Sequence, residues 1–156
     1  MRIIYVILFL LLQACGTAPE KPTGPHLTQA EINTRAGEDI TLGVEKKAVV
    51  RLWEVAESAR KSGEYSRANG LLEQAIRMSP EQPVLWSRVA ELQLLLKQPI
   101  IAENYAAKAN LLSQNFPALR YRNWMIIKYA REMRSDTKGA EQAQIQLDTI
   151  RALEGS

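Results

Sequence analysis

Residues 52–78 return as residues 86–112 in a half-match at a spacing of 34, and that spacing restricts the fold more than any other property of the chain. Leu52, Val55, Ala56, Ala68, Ala75 and Met78 recur as Trp86, Val89, Ala90, Ala102, Ala109 and Leu112. A period of this length is one supersecondary unit of two helices. Within the first copy Leu52, Val55, Ala56 and Ala59 fall three and four residues apart, along one face of a helix. Gly63 stands where that helix must stop and reverse, a position that accepts a left-handed backbone. Tyr65 covers the corner, Ala68 and Ala75 lack the bulk to hold two antiparallel helices apart, and Pro80 cannot continue a helix. One such hairpin buries only half of its apolar surface, so neighbours must stack on it.

The order Leu52-x2-Val55-Ala56-x2-Ala59, Gly63-x-Tyr65-x2-Ala68, Leu72-x2-Ala75 and Met78-x-Pro80 resembles a tetratricopeptide repeat, and the resemblance runs from Val49 to Leu112. It implies an all-α chain of antiparallel helical hairpins stacked into a right-handed superhelix. Helices are expected at Lys46–Ser62, Tyr65–Ser79, Gln82–Lys97 and Ile100–Leu112. Gln98-Pro99 departs from the Gly-x-Tyr corner, which leaves the geometry of that turn open. A third unit follows Asn115-Phe116-Pro117, with a helix over Ala118–Arg134 carrying Leu119, Trp124, Ile127 and Met133 on eroded small-residue positions. Ser135–Gly139 reads as a loop longer than the standard corner. Ala143, Leu147, Ile150 and Leu153 then recur at helical spacing and make a closing helix with one wet face. The helical domain is expected over residues 46–156.

The chain opens differently. Met1-Arg2 is cationic and Ile3–Leu12 is an unbroken apolar run of ten residues, about 15 Å as a helix against the roughly 30 Å of a bilayer core. Leu12-Gln13-Ala14-Cys15 follows, and Cys15 is the only cysteine. These features resemble a bacterial lipoprotein signal with its lipobox. The resemblance implies removal of residues 1–14 and acylation of Cys15, with covalent lipid rather than any cofactor as the attached group. Gly16-Thr17 lacks the Asp that holds lipoproteins in the inner membrane, which implies an outer-membrane anchor facing the periplasm. Several buried acyl chains, at about 0.8 kcal/mol per methylene, make such an anchor permanent. Residues 15–45 are the expected tether, with Pro22, Gly24 and Pro25 near its start. Within it Thr28 and Glu31 offer a capping box to a short helix ending near Ala36, before Gly37 and Gly43.

Charge and composition exclude several classes of function. Without residues 1–14 the chain keeps 142 residues with 19 basic and 17 acidic side chains, a balance that gives nucleic-acid binding no support. His26, the only histidine, lies in the tether, so no nucleophile–histidine pair is set up in the domain. No His, Cys and carboxylate cluster has metal-ligand spacing, and no Gly-rich loop follows a strand. Glu54 and Glu57 lie three apart, but Arg60 and Lys61 stand close enough to pair with them as surface ions rather than leave a catalytic dyad. No catalytic residue and no metal site is expected, and the chain is not expected to be an enzyme.

Binding is the remaining class. In tetratricopeptide repeats the first helix of each unit lines a concave face through its second, fifth, ninth, twelfth and thirteenth positions. Counting from Val49, the resemblance assigns Val50, Trp53, Glu57, Arg60 and Lys61 to that face; counting from Pro83, it assigns Val84, Ser87, Glu91, Leu94 and Leu95. Trp53 either anchors a partner in this groove or packs against the Thr28–Ala36 segment. Leu92, Leu94, Leu95 and Leu96 make their helix apolar on several sides, as core or as a partner patch. Arg120, Lys128, Arg131 and Arg134 form a charge stripe on one side of the third unit. A lipobox cysteine, a tether and a short repeat domain together look like the tetratricopeptide-type lipoproteins that activate class A penicillin-binding proteins, the periplasmic peptidoglycan synthases. That resemblance implies a monomeric, membrane-anchored protein that binds a synthase and raises glycan polymerisation and crosslinking. The alternative is a pilotin or assembly lipoprotein for a pilus secretin or an outer-membrane protein complex.

Overall fold

The computed structural model describes residues 47–154. The signal over residues 1–14, Cys15, the tether over residues 15–45 and the Thr28–Ala36 helix lie outside the described residues. Those residues form six helices: α1 (Lys47–Lys61), α2 (Tyr65–Met78), α3 (Pro83–Leu95), α4 (Pro99–Leu112), α5 (Pro117–Met133) and α6 (Thr137–Glu154). Each expected boundary from α1 to α5 falls within two residues of the observed one.

The corners explain how the hairpins reverse. At the end of α1 the Gly63 amide donates to the Arg60 carbonyl at 3.0 Å and the Glu64 amide to the Ala59 carbonyl at 2.9 Å. This crossed pair is a Schellman motif, which consumes orphan carbonyls and needs a left-handed residue. Gly63 supplies it at φ +78°. The same pair recurs at the end of α3, from Lys97 to Leu94 (3.0 Å) and from Gln98 to Gln93 (2.8 Å), and at the end of α5, from Ser135 to Glu132 and from Asp136 to Arg131 (both 2.9 Å). Lys97 (φ 61°) and Ser135 (φ 60°) occupy the left-handed position without being glycine. The corner that Gln98-Pro99 left open is thus the same corner as the first.

The third unit corrects one expectation. Ser135–Gly139 is not a lengthened loop, because α6 begins at Thr137 and three residues separate α5 from α6, as they separate α1 from α2 and α3 from α4. The extra residues lie in α5, which has 17 residues against 13 in α3. Four residues add about one turn, so the corner leaves α5 on the same side as before. Asp136 then caps α6, its Oδ1 accepting from the Gly139 amide at 2.9 Å. A Cβ on Gly139 would lie 2.1 Å from Asp136 Oδ2, so the cap requires a glycine there.

Proline opens α3, α4 and α5 at the first helical position, where no amide donor is missed. α1 with α2, α3 with α4, and α5 with α6 form the hairpins; α3 also packs on α2 and α5, and α4 on α5. Ala56, Ala68, Ala75, Ala90, Ala102, Ala106 and Ala109 are fully buried where the helices approach. Leu72, Leu85 and Leu92 fill the space between them, each contributing about 1.5–3 kcal/mol by burial. α3 lies at the centre of the stack and buries ten of its 13 residues, which accounts for its leucine-rich, many-sided apolar surface.

Candidate partner-binding surface

α1, α3 and α5 are the first helices of the three units, and the expected docking face lies along them. Of the ten positions assigned to that face, Trp53, Val84, Ser87, Glu91 and Leu94 are buried. Val50, Glu57 and Arg60 are half-buried, while Lys61 and Leu95 are exposed. The buried five are packed into the stack. Trp53, 8% exposed, belongs to the apolar cluster of Val49, Ala56 and Val84. The Arg88 guanidinium covers it, 5.4 Å from the ring centroid, a stacking that favours the ring over solvent.

Arg88 is also part of an ion network that joins the three helices. Glu57 pairs with Arg60 of its own helix at 3.1 Å and with Arg88 of α3 at 2.8 Å. Glu91 pairs with Arg88 and with Arg122 of α5, and Arg60 reaches within 4.0 Å of it. Three guanidiniums thus meet two carboxylates, an excess of one positive charge in a nearly dry interior. Burial alone would raise the Glu91 carboxyl, but Arg122, Arg88 and Arg60 outweigh it and hold the group below its ordinary value. Burial, with repulsion from Arg88, draws the Arg122 guanidinium down from its ordinary value to about 10 against the pull of Glu91 and Glu57. Arg122 Nε and Nη1 and both amide atoms of Asn123 find no hydrogen-bond partner among the described residues.

Sequence spacing placed Glu57, Arg60 and Glu91 on one face but did not foresee that Arg88 and Arg122 would fold over it. Both arginines stand at the sixth position of their units, 34 residues apart, so the signal was present in the repeat itself. The charge stripe on α5 resolves differently. Arg131 and Arg134 both pair with Glu103 of α4, and Lys128 pairs with Glu132. Arg120 alone of the four has no carboxylate partner among the described residues.

Arg120 lines an open cleft of about 430 Å³ with Asn110, Leu111, Gln114 and Trp124, between the end of α4 and the start of α5. Ala56 and Ala90 are fully buried at the eighth position of their units, and Trp124 is the residue 34 further on. An indole thus stands where the first two units have a methyl group, and it lines the cleft. Leu52 and Trp86 find their third-unit counterpart in Arg120. Leu111, 70% exposed, stands at the cleft, and Phe116, 50% exposed, lies on the loop that leads into α5. Among the described residues no group of His, Cys, Asp and Glu could hold a metal ion, and no helix is long and apolar enough to cross a membrane.

No protein-family model and no curated protein matches this chain. Solved structures do, among them the following two. The globular C-terminal domain of P. aeruginosa LpoP superposes with a TM-score of 0.62 at 26% identity, over 68% of this chain and 97% of that domain. The first tetratricopeptide domain of Spaghetti (RPAP3), bound to the HSP90 peptide SRMEEVD, gives a TM-score of 0.58 at 19% identity, over 74% of this chain and 99% of that one. The second likeness concerns the fold alone. Stacked hairpins, Schellman corners and both superpositions agree: this chain has a tetratricopeptide-type fold, similar to the globular domain of LpoP.

Proposed function

We propose that the protein is a non-catalytic outer-membrane lipoprotein, anchored through Cys15, that docks on a periplasmic class A penicillin-binding protein and activates it. The observation that carries this reading is the likeness to the LpoP globular domain over nearly its whole length, joined to the lipobox at Leu12–Cys15. Tetratricopeptide-type hairpins are protein-binding elements, and the peptide-bound neighbour is one instance. The mechanism is a biased equilibrium. An activator raises synthase output only by binding the active conformation more tightly than the inactive one, and a tenfold preference corresponds to about 1.4 kcal/mol. Nothing in the domain need touch substrate.

The docking surface on this reading comprises the outward parts of the expected groove, Val50, Glu57, Arg60, Lys61 and Leu95. The ion network holds their helices in a fixed register. The experiment is direct binding of the detergent-solubilised lipoprotein to a purified class A penicillin-binding protein, with Lys61→Glu and Leu95→Glu as surface variants. Saturable binding that these variants weaken is expected. Binding that is absent, or present and indifferent to both, overturns the partner or the surface respectively.

A further inference from the structure

We propose that the cleft between α4 and α5 is a second binding site, which takes a peptide segment carrying a large apolar side chain next to a carboxylate. This rests on the reading that the domain binds protein, and it names a place and a chemistry that the groove does not supply. The walls are apolar where a side chain would enter, through Leu111 and the Trp124 ring. Arg120 brings a guanidinium without a carboxylate partner among the described residues to that same lining. A cation at the edge of an apolar cleft selects an apolar group with an anion beside it.

A further observation points to an acidic peptide. From Asn104 to Arg131 the chain has no Asp or Glu; Arg122, Lys128 and Arg131 are paired with carboxylates outside this stretch, while Arg120 brings its positive charge to the cleft, which complementarity matches with an anion on the occupant. Leu111 at the cleft and Phe116 on the loop before α5 are both exposed apolar side chains. In the groove the guanidiniums of Arg60, Arg88 and Arg122 are engaged by Glu57 and Glu91, so the two surfaces are chemically distinct.

The test is a titration of the full-length protein in detergent micelles with three synthetic peptides in a Gly/Ser context, bearing Phe-Asp, Phe-Lys or Ala-Asp. Nuclear magnetic resonance reads the Trp124 indole and Asn110 side-chain amide signals. The Phe-Asp peptide is expected to shift both, and to bind at least tenfold more tightly than either control. Arg120→Glu is expected to reverse the order of Phe-Asp and Phe-Lys. Leu111→Asp, at a position too exposed to affect folding, should weaken the Phe-Asp peptide at least fivefold, with circular dichroism unchanged. Equal affinity for Phe-Asp and Phe-Lys, binding that survives Arg120→Glu, or shifts confined to the α1 and α3 groove would overturn the assignment, as would no shift at millimolar peptide. Because the peptides contain no part of the synthase, the titration judges the cleft even if the synthase proves not to be the partner.

Discussion

Glu91→Gln isolates the contact on which the stack of first helices depends. Glu91 is 1% exposed and is the carboxylate on which Arg88 of α3 and Arg122 of α5 converge, with Arg60 of α1 at 4.0 Å. Glutamine keeps the volume and removes the charge, leaving three guanidiniums to share Glu57 alone. Removing one partner of a buried pair costs about 3–5 kcal/mol, because the other charge stays buried without compensation. A domain of this size has roughly 5–15 kcal/mol in total, so the variant sits near its folding threshold. At about 4 °C per kcal/mol the melting temperature falls by roughly 12–20 °C. Arg122→Met is the control. It leaves Glu57 and Glu91 matched by Arg60 and Arg88, and it removes a guanidinium that burial already penalises, so it should cost less than about 1.5 kcal/mol.

The same carboxylate has a pH signature. Its folded-state pKa is lowered, so its contribution to stability is complete above the ordinary value of 4.5 and is lost as pH falls through the folded value. Wild type should lose stability on acidification in that window, and Glu91→Gln should lack that component. Thermal melts followed by circular dichroism, at pH 7 and down a series below 4.5, read both effects. A Glu91→Gln melt within about 3 °C of wild type at pH 7, or an Arg122→Met loss as large as that of Glu91→Gln, would refute the reasoning.

The remaining expectations concern corners, caps and the anchor. Lys97→Gly relieves a left-handed residue (φ 61°) and should stabilise by about 0.5–1 kcal/mol in urea denaturation, part of the relief being offset by glycine's looser unfolded state. Asp136→Ala removes the oxygen that accepts from the Gly139 amide and should cost about 1 kcal/mol by the same measurement. Cys15→Ser should abolish acylation, read as loss of the lipid mass by mass spectrometry and as release of the protein from membranes. A variant still carrying lipid would contradict the lipobox assignment.

Much of the fold was legible because repeats report on themselves. Ala56 and Ala90, or Ala68 and Ala102, are informative in pairs: a methyl-sized residue at one period says where two helices touch. The third unit was harder, since an added turn in α5 moves every later landmark by four residues. Ser135, Thr137 and Gly139 then look like loop composition although Asp136 and Gly139 are building a cap. The exposure of the expected face was half legible. Position counting finds which way a side chain leaves its helix, but not whether a longer neighbour such as Arg88 or Arg122 will cover it. Trp124 at an alanine position was visible in the sequence. That it lines a cleft beside Asn110 and Leu111 depends on how α4 and α5 meet, which no single helix encodes.

The central claim is that this domain acts by docking, with no chemistry of its own. Reconstituting a purified class A penicillin-binding protein with lipid II, with and without the full-length protein in the same micelles, tests it most directly. Severalfold faster glycan polymerisation and more crosslinked product, saturating with the concentration of the added protein, is the predicted result. Rates that stay unchanged while the added protein remains folded would contradict the account.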